Sequence, residues 1–100
     1  MKELNQRELA FLEMMMEFHS GIENVISSRE LRHWGKGPEI REIIHNIRVA
    51  GYPIASCSKG YYYANSKAEL THTLNRVSSY IREMEEMRNG LMQAYDKLNN

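Results

Sequence analysis

The chain has 100 residues, of which 42% are hydrophobic and 26% charged, and its thirteen basic residues balance thirteen acidic ones. This length and composition are those of one folded domain, so they exclude a multi-domain enzyme and a disordered or low-complexity chain. The zero net charge argues against a protein that binds nucleic acid with its whole surface. It is compatible with a local patch, because residues 27–65 carry six basic and three acidic side chains.

The chain shows no sign of a membrane protein. No apolar run approaches the roughly 18 residues that a membrane span requires. The first segment, MKELNQRELAF, is charged where a secretory signal would be apolar. We therefore expect a cytoplasmic protein without a membrane partner.

The inventory of reactive side chains argues against an enzyme. Cys57 is the single cysteine, so it forms no internal disulfide, and no nucleophile stands beside a base. We expect neither a cofactor nor a metal, because the four histidines lack metal-ligand spacing. These are His19, His33, His45 and His72.

The first predicted element is an amphipathic helix over residues 3–19, within an N-terminal segment 1–24. Glu8, Glu13 and Glu17 are expected on its polar face, and Gly21 ends it. Residues 22–26 are predicted to be a short strand or an extended linker. The apolar face consists of Leu4, Leu9, Phe11, Leu12, Met14, Met15, Met16 and Phe18.

Two further helices are predicted next. Ser27 and Glu30 have the spacing of a capping box, so a short helix begins at Ser28 and ends before the pair Gly35 and Gly37. Pro38 suits the first turn of a third helix that runs to Gly51. Its apolar face consists of Ile40, Ile44 and Ile47.

The hydrophobic period then changes from 3.6 to 2, which predicts a β-hairpin over residues 53–64 with Ser58-Lys59-Gly60 at its tip. In the second strand Tyr61 and Tyr63 share one side and Tyr62 takes the other.

A long helix is predicted from Ser66, which has a capping partner in Glu69. Two outcomes are open for it. A continuous helix would be covered for about half its length by the first helix and for the rest by a second copy; a helix that folds back at Asn89-Gly90 would complete a monomeric core. The heptad stripe is interrupted by Arg88, and its dimerisation residues are Leu74, Val77, Ile81, Met84 and Leu91.

The order of these elements is that of a winged helix-turn-helix domain. The stretch ISSRELRHWGKGPEIREIIHNIRVAGYPIASCSKGYYYA resembles the winged domains of bacterial and phage regulators, including the amino-terminal domain of the biotin-operon repressor. The resemblance covers residues 25–65 and includes Gly51-Tyr52-Pro53-Ile54 and Gly60-Tyr61. The turn Gly35-Lys36-Gly37 followed by proline departs from the usual one. The segment 66–100 follows as a helical dimerisation segment. The predicted fold class is therefore mainly α with a small β-hairpin.

The resemblance implies binding of double-stranded DNA by a homodimer that regulates phage or bacterial transcription. Helix 38–50 would enter the major groove, and wing 53–64 would lie on the backbone or in the minor groove. An alternative is an interaction module, such as a phage factor that binds a host transcription or replication protein. The expected base readers are Arg41, Glu42 and His45, and the expected backbone contacts are Ser28, Arg29, Lys36, Arg48 and Lys59.

Overall fold

The computed structural model describes residues 3–99 and has a mainly α architecture with a small β-hairpin and a long C-terminal helix, as predicted. The molecule measures 56 × 29 × 29 Å. Within the described residues, no helix combines the length and the apolar character that crossing a membrane requires. The elements are α1 (Gln6–Phe18), a 3-10 helix at Ile22–Asn24, a second 3-10 helix at Glu30–Trp34, α2 (Gly37–Val49), β1 (Ile54–Cys57), β2 (Gly60–Tyr63) and α3 (Lys67–Lys97).

Helix α1 begins with a capping box that the sequence analysis did not identify. The Asn5 side-chain oxygen accepts from the Glu8 amide at 2.7 Å, and the Asn5 amide donates to Glu8 Oε1 at 3.0 Å. The prediction that Glu8 lies on the polar face is wrong, because Glu8 is 5% exposed. Its second oxygen accepts from the Asn46 side chain of α2 at 2.6 Å. This bond lets a carboxylate sit on the buried side of the helix.

Residues 22–26 were predicted to be a short strand or an extended linker, but Ile22–Asn24 form a 3-10 turn, and only the end of the segment pairs as a strand does, at Ile26. The chain on both sides of this turn still pairs with β2. Ile26 exchanges two backbone hydrogen bonds with Tyr61, each 2.9 Å long. Before the turn, Gly21 donates to the Tyr63 carbonyl at 2.8 Å. The chain on either side of the turn therefore lies beside β2 as a third, interrupted strand would.

The second predicted helix is a five-residue 3-10 helix that begins at Glu30 rather than at Ser28. The Ser27 hydroxyl accepts from the Glu30 amide at 3.2 Å, as the capping pattern predicted. Gly35, with φ at +135°, ends the segment after about one and a half turns. Trp34 packs edge-on against Phe11, with their ring centres 5.2 Å apart.

The core is built on α2, which buries Ile40, Ile43, Ile44 and Ile47. Three of these residues were predicted; Ile43 was not. They pack against α1, the second 3-10 helix (Glu30–Trp34) and β1 in one apolar cluster. The other members of this cluster are Phe11, Leu12, Met15, Ile26, Leu31 and Ile54.

The hairpin has the predicted tip. Ile54 pairs with Tyr63 and Cys57 with Gly60, so Ser58 and Lys59 form a two-residue turn. Tyr61 and Tyr63 pack against the main core. Tyr62 points to the opposite side, where it is buried with Ala55 and Ala64 under α3, as the alternation predicted.

Helix α3 runs without a break from Lys67 to Lys97, so of the two outcomes left open the continuous helix is the one observed, and the chain does not fold back at Asn89-Gly90. Its first turns dock on the hairpin, where Leu70 packs against the second cluster and Thr73 Oγ1 accepts from the Ser56 amide at 3.0 Å. The expectation that α1 covers half of the α3 stripe is wrong, since α1 packs on α2 and the stripe is exposed from Leu74 onward.

Gly60 is predicted to be the glycine whose substitution costs most. Its φ is +144°, and a Cβ at this position would overlap the backbone carbonyl of Ile26, which cannot move without breaking the bridge to Tyr61. Gly60→Ala is expected to lower the free energy of unfolding by about 2–4 kcal/mol in urea denaturation.

Gly51→Ala is the matched control, because Gly51 also has a positive φ of +99° but a Cβ there meets open space. It should cost only the backbone strain, about 1–2 kcal/mol. Equal losses for the two variants would contradict the overlap with Ile26.

Glu69 joins the start of α3 to two loops. Its carboxylate accepts from the Asn65 amide at 2.7 Å and from the Ile22 amide at 2.9 Å. These bonds hold the pKa of Glu69 below its ordinary value of 4.5. A lowered folded-state pKa contributes stability above the unfolded value, and this contribution is lost as pH falls through the folded value.

Glu69→Gln is therefore expected to lower stability at neutral pH and to flatten the fall in stability below about pH 4.5. The measurement is the urea midpoint as a function of pH. Glu83→Gln, an exposed position further along α3, is the control and should leave the acid dependence unchanged. A Glu69→Gln profile parallel to that of the natural chain would contradict the role of these two amide bonds.

Candidate nucleic-acid interface

The outward face of α2 follows from how the helix starts and what it buries. The Lys36 amide donates to Glu39 Oε1 at 3.2 Å, and Pro38 occupies the first turn. Since the isoleucines face the core, the polar residues between them face solvent. Arg41, Glu42 and His45 are all exposed, as predicted for a surface that meets a partner.

These three residues divide between two edges of α2. Arg41 and His45 line the edge that faces α3. The Arg41 guanidinium folds back toward the start of the helix, since a Cβ at Gly37 would lie 3.2 Å from Arg41 Nη1. Glu42 lies on the edge toward α1, in a cleft that Arg7 and other residues also line. A ligand that contacts all three must therefore span the width of the helix.

Charges at the amino end of α2 are partly compensated. Arg7 of α1 lies 3.8 Å from Glu39, and both side chains are about half exposed. Such an exposed ion pair contributes less than about 1 kcal/mol. Lys36, at the turn before α2, is exposed. It remains a positive charge at the entry to the helix.

Arg48 does not project into solvent as the sequence predicted. Its Nε donates to the Ile54 carbonyl of β1 at 2.8 Å, which bends the side chain over the hairpin. Its Nη2 is buried and has no hydrogen-bond partner among the described residues. Burial lowers the pKa of the guanidinium from its ordinary value; the nearby Tyr61 partly opposes this shift, and the charge of Arg76 adds to it. This placement makes Arg48 a link between α2 and the hairpin.

The hairpin tip forms a small polar cleft of about 200 Å³. Lys59 and Ser28, which were predicted to contact the DNA backbone, are both exposed and line this cleft. Arg76 of α3 also lines it, although the sequence analysis treated this part of the chain only as a dimerisation helix. The sequence did contain a signal for Arg76, since it is a basic residue off the apolar stripe in the part of α3 that follows the hairpin. Arg29 is exposed but is not among the residues that line this cleft.

A larger, mainly apolar groove of about 600 Å³ separates α2 from α3. Arg41, His45 and Arg48 form its α2 wall, and Leu74 and Val77 belong to its α3 wall. Its floor includes residues around the start of β1, such as Pro53 and Ile54. No sequence pattern indicates this groove, because it exists only where the two helices and the hairpin meet.

The predicted dimerisation residues form an open surface. All five are between 42% and 63% exposed. They are Leu74, Val77, Ile81, Met84 and Leu91. Exposed apolar patches of this kind are typical of interaction surfaces.

Residues 3–99 contain no group of three or more His, Cys, Asp or Glu side chains that could hold a metal ion. Cys57 is a free, half-buried thiol on β1.

No protein-family model, curated protein or solved structure matches the chain. The interpretation of the surface therefore rests on its own residues.

Arg48 offers a test of its buried position. Arg48→Met keeps the apolar stem over the hairpin, loses the bond to Ile54 and removes the buried, unpartnered Nη2. These effects oppose each other, so we expect a change in the free energy of unfolding of less than about 1 kcal/mol. Arg48→Ala also removes the packed stem and should cost about 2 kcal/mol. Urea denaturation of both variants measures this, and equal losses would contradict the packing role.

Proposed function

We propose that the chain binds double-stranded DNA as a homodimeric winged-helix regulator of phage or bacterial transcription. The observation that carries the proposal is the exposed polar face of α2. Arg41, Glu42 and His45 face solvent opposite four buried isoleucines, and Lys59 is exposed at the tip of the adjoining hairpin. A helix with this face and a neighbouring basic hairpin has the parts needed to bind a major groove and its flanking phosphates.

The chemistry of α2 suits base recognition. A guanidinium can donate two hydrogen bonds to the O6 and N7 atoms of guanine, and a carboxylate can accept from the N4 amine of cytosine. Arg41 and Glu42 lie on opposite edges of α2, so they would address different base pairs. His45, one turn after Arg41, extends the reading edge toward the hairpin.

The backbone contacts divide into two groups. Lys36 lies at the entry to α2, while Lys59 and Ser28 line the cleft at the hairpin tip together with Arg76. Ammonium and guanidinium groups in such positions hold a protein on DNA without reading sequence. Arg48 has a different role in the proposal. Through its bond to Ile54 it holds the hairpin at a fixed angle to α2.

Homodimerisation through α3 completes the proposal. The exposed apolar stripe on this helix needs a cover, and two copies of α2 would add their weak individual contacts with DNA. An arrangement of this kind also explains why a chain with no net charge can bind a polyanion.

A second candidate function is the binding of another protein through the groove between α2 and α3. The observation in its favour is the apolar character of the groove rim, where Val49, Tyr52 and Leu74 are exposed. A complex with an apolar centre depends only weakly on salt, whereas DNA binding weakens steeply as salt rises.

The test is selection of bound sequences from a random pool of duplexes, followed by measurement of variants on selected and unselected DNA. Arg41→Ala should lose about 1–3 kcal/mol of discrimination at one base position. Lys59→Ala should weaken all duplexes alike and reduce the slope of log affinity against log salt by about 1.

Two matched controls lie on α3. Arg82→Ala and Lys67→Ala remove the same side-chain types at exposed positions outside the proposed interface, and both should bind as the natural chain does. If neither Arg41→Ala nor Lys59→Ala changes the retention of any duplex, the proposed interface is wrong.

A further inference from the structure

The exposed stripe on α3 consists of two rows that repeat every seven residues. Every member of both rows is exposed, so no other part of the described chain covers the stripe. The first row is Leu74, Ile81, Arg88 and Tyr95, and the second is Val77, Met84 and Leu91, followed by the exposed Leu98 at the C-cap, where the backbone is extended.

Arg88 distinguishes the ways in which two such helices can pair. In a parallel pair, each residue faces its own copy, so two Arg88 side chains would share one layer of the seam. Two guanidinium groups held together in a largely apolar seam repel each other and lose hydration. The parallel arrangement therefore places like charges at the centre of the interface.

In an antiparallel pair, the first row of one helix faces the second row of the other. The register that covers the stripe from end to end sets Leu74 against the partner's Leu98 and Ile81 against the partner's Leu91. Arg88 then faces the partner's Met84 and lies next to the partner's Glu85. Registers shifted by one heptad in either direction leave two residues of each stripe uncovered and move Arg88 away from that glutamate.

We propose that a second copy of the chain covers α3 in this antiparallel register, with Arg88 and Glu85 of the two copies forming four alternating charges at its centre. The inference rests on the homodimer of the proposed function and specifies its geometry. Charge complementarity at the centre selects this register, because a shift by one heptad removes the partner's Glu85 from Arg88.

This geometry brings the partner to the edge of the candidate interface. Leu74 and Val77 line the groove beside α2, and they would face the last turn of the partner helix. Side chains from the partner's Leu98 and the partner's Tyr95 would then cover the α3 wall of the groove. Arg41 and His45 belong to the opposite, α2 wall of this groove, and Glu42 lies on the other edge of α2, toward α1.

The same geometry sets the separation of the two DNA-binding units. At 1.5 Å per residue, Leu74 and its copy would lie about 36 Å apart along the helix axis. This is close to the roughly 34–36 Å between successive major grooves on one face of DNA. Because Leu74 lines the groove beside α2, the two copies of α2 would lie toward opposite ends of the helix pair, at a separation of the order of one half-site spacing.

Disulfide formation tests the register. In a Cys57→Ser background, Ile81→Cys and Leu91→Cys are prepared as separate full-length chains, one of them carrying a tag that changes its size. In the proposed register Ile81 and its copy are about 15 Å apart along the axis, beyond the reach of a disulfide. We expect few cross-linked dimers from either chain alone and at least a tenfold larger yield of mixed-size dimers from the two together.

The outcomes separate the register from the proposed function. Strong cross-linking of each chain with itself indicates parallel helices and overturns the register. A monomer in light scattering of the natural chain, with no cross-link in any sample, overturns the dimer. Mixed-size dimers support the register whether or not the natural chain binds DNA. Failure of the natural chain to retain any duplex counts against DNA binding and leaves the register standing.

Discussion

The isoleucine face of α2 is the constraint on which the rest of the structure depends. Four side chains at helical spacing bury themselves against α1, the second 3-10 helix and β1, so each of these elements is positioned by contact with one helix. Burial of one such side chain is worth about 1.5–3 kcal/mol. The same constraint turns Arg41 and Glu42 outward, because a helix that buries one face must expose the other. The candidate interface is thus a consequence of the core.

Much of the fold could be predicted because its signals are local. The period of 3.6 in α2 and α3, the period of 2 in the hairpin and the glycine at its tip each depend on residues close in sequence. The failures have non-local causes. Glu8 is buried because Asn46, far along the chain, donates to it. Arg48 turns inward because the Ile54 carbonyl lies within its reach, and no periodicity contains that information.

The candidate site was predictable to a similar extent. Exposure of Arg41, Glu42 and His45 follows from the helical period alone, but their division between two edges of α2 depends on where α1 and α3 lie. Arg76 was missed because a heptad interpretation directs attention to the apolar side of a helix. The Asn89-Gly90 pair left two outcomes open, because a local turn signal does not decide whether a long helix ends or continues. The helix continues for seven residues beyond Gly90.

Helix α3 has its attachment to the body of the molecule near one end, at Leu70 and Thr73. An isolated helical segment is only marginally stable in water, and the body of the molecule contributes little to the part of α3 beyond Thr73. In the proposed homodimer, mass action governs the folding of this segment. Dilution should then fray the free end while the four-isoleucine core stays intact. The concentration of the protein in a cell would thereby set the fraction of chains in which α3 is helical to its end.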